Sequence, residues 1–187
     1  MTKELKWVSI VLAVLLAGWF INLQLQQRYV TKSGPIFPLE KDDIWGIVIS
    51  KGDESLKLLK SGDTWMIDQV DSLTMRSQRI DNFFNKILAV KKETLVSTNP
   101  NKWDTFNVSD SLGTRLSLLD RNMESVGDAI FGRSKTDWSH NYVRFPEQEN
   151  VYLTDQNVIY VLNLKADYWG EKPKPPEPDT TQVNTEP

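Results

Sequence analysis

The stretch that decides the fold is residues 44–67, which read I-W-G-I-V-I-S-K-G-D-E-S-L-K-L-L-K-S-G-D-T-W-M-I. It contains three short apolar-rich runs, 44–49, 55–60 and 64–67, and a Gly-Asp pair separates each run from the next. Short apolar runs joined by tight glycine turns are typical of antiparallel strands. The stretch therefore predicts a three-stranded meander.

A single apolar stripe after this meander predicts the main helix. The members of the stripe lie at positions i, i+3, i+4, i+7 and i+8, which is the spacing of one helix face. Ser77 is placed to act as the N-cap, and Asp81 suits the positive end of the helix dipole. We expect the stripe to pack against the meander rather than to bind a ligand. Its members are Ile80, Phe83, Phe84, Ile87 and Leu88.

A second group of short strands is predicted after the helix. Residues 155–163 fit either a last strand or a short helix that ends the domain. The expected fold class is α+β, with an N-terminal transmembrane helix followed by a small domain of antiparallel β meanders packed with one or two helices. The strands expected in this second group are 93–97, 114–119, 126–131, 142–145 and 151–153.

Residues 7–25, W-V-S-I-V-L-A-V-L-L-A-G-W-F-I-N-L-Q-L, predict a membrane anchor. No charge lies between Lys6 and Arg28, and a helix of this length would reach about 28 Å, close to the thickness of a hydrocarbon core. A cleaved signal peptide is one alternative, but a cleavage site near Gly18 would lack a small residue three positions earlier. A buried soluble helix is the other, and it is disfavoured because the segment is apolar on every face. The short basic N-terminus favours the cytoplasmic side and places residues 33–187 outside.

Charge and proline content divide the rest of the chain. Residues 1–32 carry a net charge of +3, whereas residues 171–187 carry −2 and hold five of the nine prolines. Such a tail buries too little apolar area to offset the loss of chain entropy, so we expect it to be disordered. The expected organisation is an N-terminal transmembrane anchor (1–27), a linker (28–39), an extracytoplasmic α+β domain (40–170) and a disordered, proline-rich, acidic tail (171–187).

The search for catalytic chemistry yields no candidate residue. Cysteine is absent, which excludes disulfides, thiol nucleophiles and cysteine-ligated metals. His140 is the one histidine, so a Ser-His-Asp triad would have to use it, and no G-x-S-x-G motif accompanies it. No phosphate-binding, dinucleotide-binding or EF-hand motif occurs. We therefore assign no catalytic, cofactor-binding or metal-binding residues and expect no cofactor, although two acids brought together by folding stay open.

Several short motifs occur in a recognisable order. They are G-D-T-W at 62–65, F-N-V-S-D at 106–110, G-T-R-L at 113–116, I-F-G at 130–132, Y-V-R at 142–144 and V-Y-L at 151–153. With the N-terminal apolar segment, this order resembles a bacterial domain-of-unknown-function family of membrane-anchored envelope proteins associated with gliding-motility-type ABC transporters. The resemblance covers roughly residues 40–170 and implies an extracytoplasmic domain with an auxiliary or scaffolding role. That family has no established catalytic residues to carry over.

We therefore expect a non-enzymatic, single-pass protein of the bacterial cytoplasmic (inner) membrane, acting as an auxiliary or scaffolding subunit of an ABC transporter or related envelope complex. Its expected partners are the membrane and a membrane protein, with no nucleic acid. The alternative is an extracytoplasmic glycan- or peptide-binding domain, or a hydrolase that uses Asp or Glu. Burial of Trp45, Trp65 and Trp138 without an acid-lined cleft would remove most of the support for the alternative, whereas a row of exposed tryptophans would indicate a partner surface.

Overall fold

The computed structural model describes residue 7, residues 10–21 and residues 33–173. Between residues 33 and 173 the chain forms antiparallel strands and a helix of about three turns. The predicted α+β class is therefore confirmed. The strands are β1 (Gly34–Pro35), β2 (Gly46–Lys51), β3 (Glu54–Ser61), β4 (Thr64–Ile67), β5 (Thr74–Met75), β6 (Lys91–Ser97), β7 (Thr114–Leu119), β8 (Ser125–Arg133), β9 (Asn141–Arg144), β10 (Val151–Thr154) and β11 (Gly170–Glu171). The α-helices are α1 (Ser77–Ile87) and α2 (Ala166–Trp169), and 3₁₀ turns lie at Lys41–Asp43, Pro100–Lys102 and Ile159–Val161.

The stretch 44–67 forms the predicted meander of β2, β3 and β4. Gly52 and Gly62 have φ angles of 55° and 60°, which are left-handed conformations that favour glycine. Each of these glycines opens the two-residue turn of a hairpin. The Gly-Asp pairs therefore form the tight turns that the sequence predicts.

The two groups of strands join into one sheet rather than two. β2 pairs with β7 over residues 46–50, so the first meander continues directly into the second. The resulting sheet has nine strands in the order β1-β6-β10-β9-β8-β7-β2-β3-β4, and every pair in it is antiparallel. β5 and β11 form a separate two-stranded pair.

One face of the sheet carries the main core. In the register of the central strands, Ile47 lies beside Leu58 and Leu118, and all three side chains are fully buried. Helix α1 packs into this core through the predicted stripe, and its Phe83 ring meets the Trp169 ring edge-on at a centroid distance of 5.8 Å. Alternation along strands places every second residue on this face, which is why the central strands read as alternating apolar and polar residues.

Two details of the α1 prediction are wrong. The N-cap position is Arg76 rather than Ser77, and no side chain caps the helix. Asp81 lies beyond the first turn and instead forms an ion pair with Lys41, with an Nζ–Oδ1 distance of 2.8 Å. The helix start is set by the bond from the Arg76 amide to the Trp169 carbonyl, a contact that local sequence does not reveal.

The segments that flank the predicted domain also join it. Gly34 and Pro35 pair with β6, and the following Ile36 and Phe37 are buried in the main core. These residues fall within the stretch that the sequence assigns to the linker.

The ambiguous segment 155–163 contains the 3₁₀ turn Ile159–Val161 and no strand.

Residues 10–21 of the predicted anchor are helical, and their side chains are exposed. Among residue 7 and residues 10–21 and 33–173, no helix is long and apolar enough to cross a membrane. The remaining parts of the predicted anchor (1–6, 8–9 and 22–27), the first part of the predicted linker (28–32) and most of the tail (174–187) lie outside the described residues.

Candidate functional site

A groove of about 770 Å³ opens at one end of the sheet. β2, β7 and β8 are antiparallel neighbours, so the end of β2, the start of β7 and the end of β8 lie at the same end of the sheet. The groove forms where the loops adjoining these strand ends meet. We call it the basic groove. It is lined by Lys51, Glu54, Asn107, Leu112, Thr114, Phe131, Arg133, Ser134, Lys135, Trp138, Ile159, Tyr160, Leu162, Asn163, Leu164 and Lys165.

The basic groove presents large apolar side chains to solvent. Trp138 is 71% exposed, Tyr160 48% and Leu112 44%, and the three line the same groove, so they form an exposed apolar patch rather than scattered single residues. Trp138 and Tyr160 come from different loops, and a hydrogen bond of 2.9 Å from Asn157 Nδ2 to the Trp138 carbonyl ties those loops together. Exposed aromatic side chains beside a groove are typical of binding surfaces.

Positive charge surrounds these aromatic side chains. Lys51, Arg133, Lys135 and Lys165 line the groove, and Glu54 is the one acid among its lining residues. Residues 33–170 as a whole carry a net charge of −4, so the groove is a local reversal of the domain's charge. Such a reversal attracts anionic ligands and steers their approach.

The wall of the groove that contains Asn107 is held by a buried arginine. Arg144 is only 2% exposed and donates from Nε to the Val108 carbonyl at 2.9 Å and from Nη2 to Asp110 Oδ1 at 3.0 Å. Its guanidinium also lies 3.9 Å from the centre of the Trp103 ring. Arg144 therefore fastens the segment before β7 onto the back of the sheet, the face opposite the main core.

Two further contacts hold the same segment. A Cβ on Gly132 would collide with the carbonyl oxygens of Phe106 and Asn107, so only glycine allows the segment to lie this close to β8. Asn107 Nδ2 donates to the Arg133 carbonyl at 3.1 Å, and the Phe106 ring meets Tyr142 edge-on. The motifs F-N-V-S-D, I-F-G and Y-V-R thus come together in space and shape one wall of the groove.

The opposite wall is fixed by buried polar residues. Asn141 is fully buried, and its Oδ1 accepts hydrogen bonds from the Val158 and Ile159 amides at 2.6 and 3.2 Å. Thr154 Oγ1 accepts from the Asn141 amide at 2.8 Å. These bonds hold the turn that carries Tyr160 against the start of β9. The groove is therefore built on rigid supports, which favours binding without loop reordering.

His140 lies near the groove but not in a catalytic arrangement. Its Nδ1 is 2.6 Å from Asp137 Oδ2, and none of the described hydrogen bonds joins it to a serine. The hydrogen bond from His140, with a second from the Ser139 amide, holds the pKa of Asp137 below its ordinary value. The pair orders the loop that presents Trp138.

A second polar cluster lies outside the groove, across β7 and β8. Asp128 accepts hydrogen bonds from Ser117, Ser125 and Arg115. Partial burial opposes its ionisation, but these hydrogen bonds and the Arg115 charge outweigh burial and lower the pKa of Asp128. Within residues 33–173 and the described N-terminal residues, no three His, Asp or Glu side chains cluster in a way that would hold a metal ion.

A family model described as a domain of unknown function, DUF4340, matches residues 65–185. The chain belongs to the DUF4340 family. The coarse resemblance stated above, to a domain-of-unknown-function family, is thereby confirmed. No curated protein and no solved structure matches the chain.

The matched region of the DUF4340 domain includes most of the groove. Arg133, Lys135, Trp138, Tyr160 and Lys165 all lie within it, whereas Lys51 and Glu54 precede it. The sequence singled out Trp138 among the tryptophans whose exposure bears on function, but it did not bring this residue together with Arg133 or Tyr160. The available signal was topological, because every second connection of an antiparallel meander returns to the same end of the strands, as the segment before β9 and the segment after β10 do.

Proposed function

We propose that this DUF4340 protein is a non-enzymatic, membrane-anchored protein of the bacterial envelope that binds a partner in the basic groove. In this proposal it acts as an auxiliary or scaffolding subunit of an ABC transporter or related envelope complex. The domain lies outside the cytoplasm, and the segment 7–25 anchors it in the cytoplasmic membrane.

The observation that carries the binding role is the exposure of Trp138 and Tyr160 in a groove with basic walls. Aromatic side chains at the centre of a polar rim contribute most of the binding energy in many protein interfaces. Trp45, Trp65 and Trp103 are half-buried and Trp169 is fully buried, so the exposed tryptophan of the domain is the one in the groove.

The composition of the groove favours binding over hydrolysis. Glycoside hydrolysis of the usual kind needs two carboxyl groups on either side of the scissile bond. Glu54 is the one carboxylate among the groove-lining residues, whereas four side chains there are basic. Within the alternative function, this composition favours a glycan- or peptide-binding domain. It does not favour a hydrolase, because the groove lining contains no pair of acids.

The anchoring role is supported by the N-terminal segment. Residues 10–21 form a helix whose apolar side chains are exposed, including Leu12, Leu15 and Phe20 at 57%, 65% and 61%. A helix that is apolar on all sides requires an apolar environment, and a bilayer provides one. The family resemblance to envelope proteins points the same way.

Site-specific photocrosslinking in intact cells tests the proposal. A photoreactive amino acid replaces Leu112, which lines the groove at 44% exposure, in the full-length protein. We expect a discrete adduct with an integral membrane protein, identified by mass spectrometry. The matched control carries the same group at Gln148, an exposed residue in the β9–β10 turn at the opposite end of the strands.

The two positions separate specific binding from random collision. An adduct at Leu112 that is absent or much weaker at Gln148 supports the groove as the binding site. Normal accumulation of both variants in the membrane with no adduct at Leu112, or with equal adducts at both positions, would contradict the proposal. A soluble variant protein that never reaches the membrane fraction would contradict the anchoring role.

A further inference from the structure

We propose that the acidic, proline-rich tail of this chain, residues 174–187, occupies the basic groove of the same molecule. The inference rests on the proposed function, because it takes the groove to be a binding site. It adds the chemical class of the ligand, which is an acidic polyproline segment, and it names an intramolecular occupant that a partner must displace.

The apolar part of the groove suits a polyproline segment. Such segments adopt an extended left-handed helix before they bind, so docking costs little further chain entropy. They are typically recognised between exposed aromatic side chains. Trp138 and Tyr160 provide two such side chains on loops that are tied together, and the tail reads K-P-P-E-P-D over residues 174–179.

The charges of groove and tail are complementary. Four basic side chains and one acid line the groove. Residues 174–187 contain one lysine against Glu177, Asp179 and Glu186, so two of the three acids lie within or directly after the proline run. Opposite charge adds to the aromatic contacts and favours this segment over a neutral polyproline.

The tail starts from a fixed point within reach of the groove. β11 pairs with β5, and Glu171 Oε2 lies 3.3 Å from Arg76 Nε, so the chain is held up to this point. Fourteen further residues in a polyproline conformation extend about 43 Å. A domain the size of residues 33–173 has a radius of gyration of about 14 Å, so the tail can reach across it. A tethered segment of this length has an effective concentration of about millimolar, which allows even weak docking to populate.

Disulfide trapping in the full-length protein tests the inference directly. The native chain has no cysteine, so an engineered pair reports one proximity without background. We expect the pair Leu112→Cys and Thr180→Cys, oxidised with copper phenanthroline in detergent, to form an intrachain disulfide at least ten times faster than the pair Gln148→Cys and Thr180→Cys. Both pairs use the same tail position, so a tail that samples the surface at random gives similar rates.

Two further variants test the chemistry of docking. Glu177→Lys with Asp179→Lys should remove most of the tenfold preference at low salt, because the groove would then repel the tail. Trp138→Ala should weaken it as well, since this exposed side chain contributes contact area to the tail. Raising the salt concentration should reduce the preference in the native tail because exposed charges are screened.

The outcomes decide between this inference and the proposed function. Equal trapping rates at the two positions, a mainly intermolecular disulfide, or a preference that charge reversal leaves unchanged would overturn the tail proposal. The photocrosslinking variant at Leu112 is then repeated in a chain that ends at Pro173. If partner adducts persist in the shortened chain, the proposed function is still supported even though the tail proposal has failed. If partner adducts are absent from both the full-length and the shortened chain, the proposed function is overturned instead.

Discussion

Replacing Arg144 by methionine should destabilise the domain by about 3 kcal/mol. The substitution keeps a long side chain but removes the donors to Val108 and Asp110 and the stacking on Trp103. A buried carbonyl left without its donor costs about 1–3 kcal/mol, and a desolvated cation–π contact contributes up to about 2 kcal/mol. Losing the guanidinium also removes its own desolvation penalty, which offsets part of this cost.

The unpaired carboxylate of Asp110 adds little to the cost of Arg144→Met. The Asp110 side chain is 75% exposed, so water solvates its carboxylate once the arginine is gone. Removing the partner of a fully buried ion would cost more, about 3–5 kcal/mol for the ion alone. We therefore expect Asp110→Asn to cost more than the loss of a surface ion pair, because it leaves the buried Arg144 guanidinium with a neutral acceptor in place of its charged partner. Arg144→Lys should recover little, because lysine lacks the planar fork that reaches two acceptors.

Urea unfolding of the full-length protein in detergent, followed by circular dichroism, measures the effect. With a slope of about 2 kcal/mol per molar urea, a loss of about 3 kcal/mol lowers the midpoint by about 1.5 M. Arg133→Met is the matched control, because Arg133 is exposed on the groove wall and should change the midpoint by less than about 0.3 M. An Arg144→Met midpoint within that same margin would refute the role assigned to Arg144.

Two other predictions concern stability. Gly132→Ala should cost at least about 2 kcal/mol, because its methyl group would displace the segment before β7. Gly34→Ala is the control: no atom lies within 4 Å of the added carbon, so this substitution should cost less than about 0.5 kcal/mol. The urea midpoints of the two variants measure the difference. The pKa of Asp128 is lowered from 3.8 in the folded state, so its ionised form stabilises the fold above that value and the contribution is lost as the pH falls through the lower folded pKa. Asp128→Asn should therefore lower the urea midpoint at pH 7 and change it much less at the lowest pH at which the protein still folds. An equal change at both pH values would contradict the assignment.

Local patterns were sufficient for most of the secondary structure. The Gly-Asp turns and the stripe of α1 depend on neighbours a few residues apart, and both formed as predicted. The exact start of α1 did not follow, because it depends on a bond between Arg76 and Trp169, which are far apart in the chain. Ile36 and Phe37 read as linker because prolines flank them, yet pairing of β1 with β6 carries them into the core.

The groove could not be predicted because its parts are distant in sequence. Arg144 was assigned correctly to a strand, but its acceptors lie 36 and 34 residues earlier, on a segment with no regular structure of its own. The groove's aromatic side chains, Trp138 and Tyr160, belong to loops on either side of a hairpin and are joined by a side-chain bond. Spacing rules operate within one element, whereas this site is defined by where separate loops meet.

The pairing of β2 with β7 imposes an order on folding as the chain is made. One edge of β2 pairs with β3, which follows it directly. The other edge has no partner until β7 emerges, about 63 residues later in the chain. At about 5–20 residues per second, that edge waits for about 3–13 s. During this interval the first meander and α1 are complete enough to collapse but expose a hydrogen-bonding strand edge beside Ile47 and Ile49. An unprotected edge of this kind recruits other chains, so the nascent protein is most vulnerable to aggregation in this interval and most in need of a chaperone there.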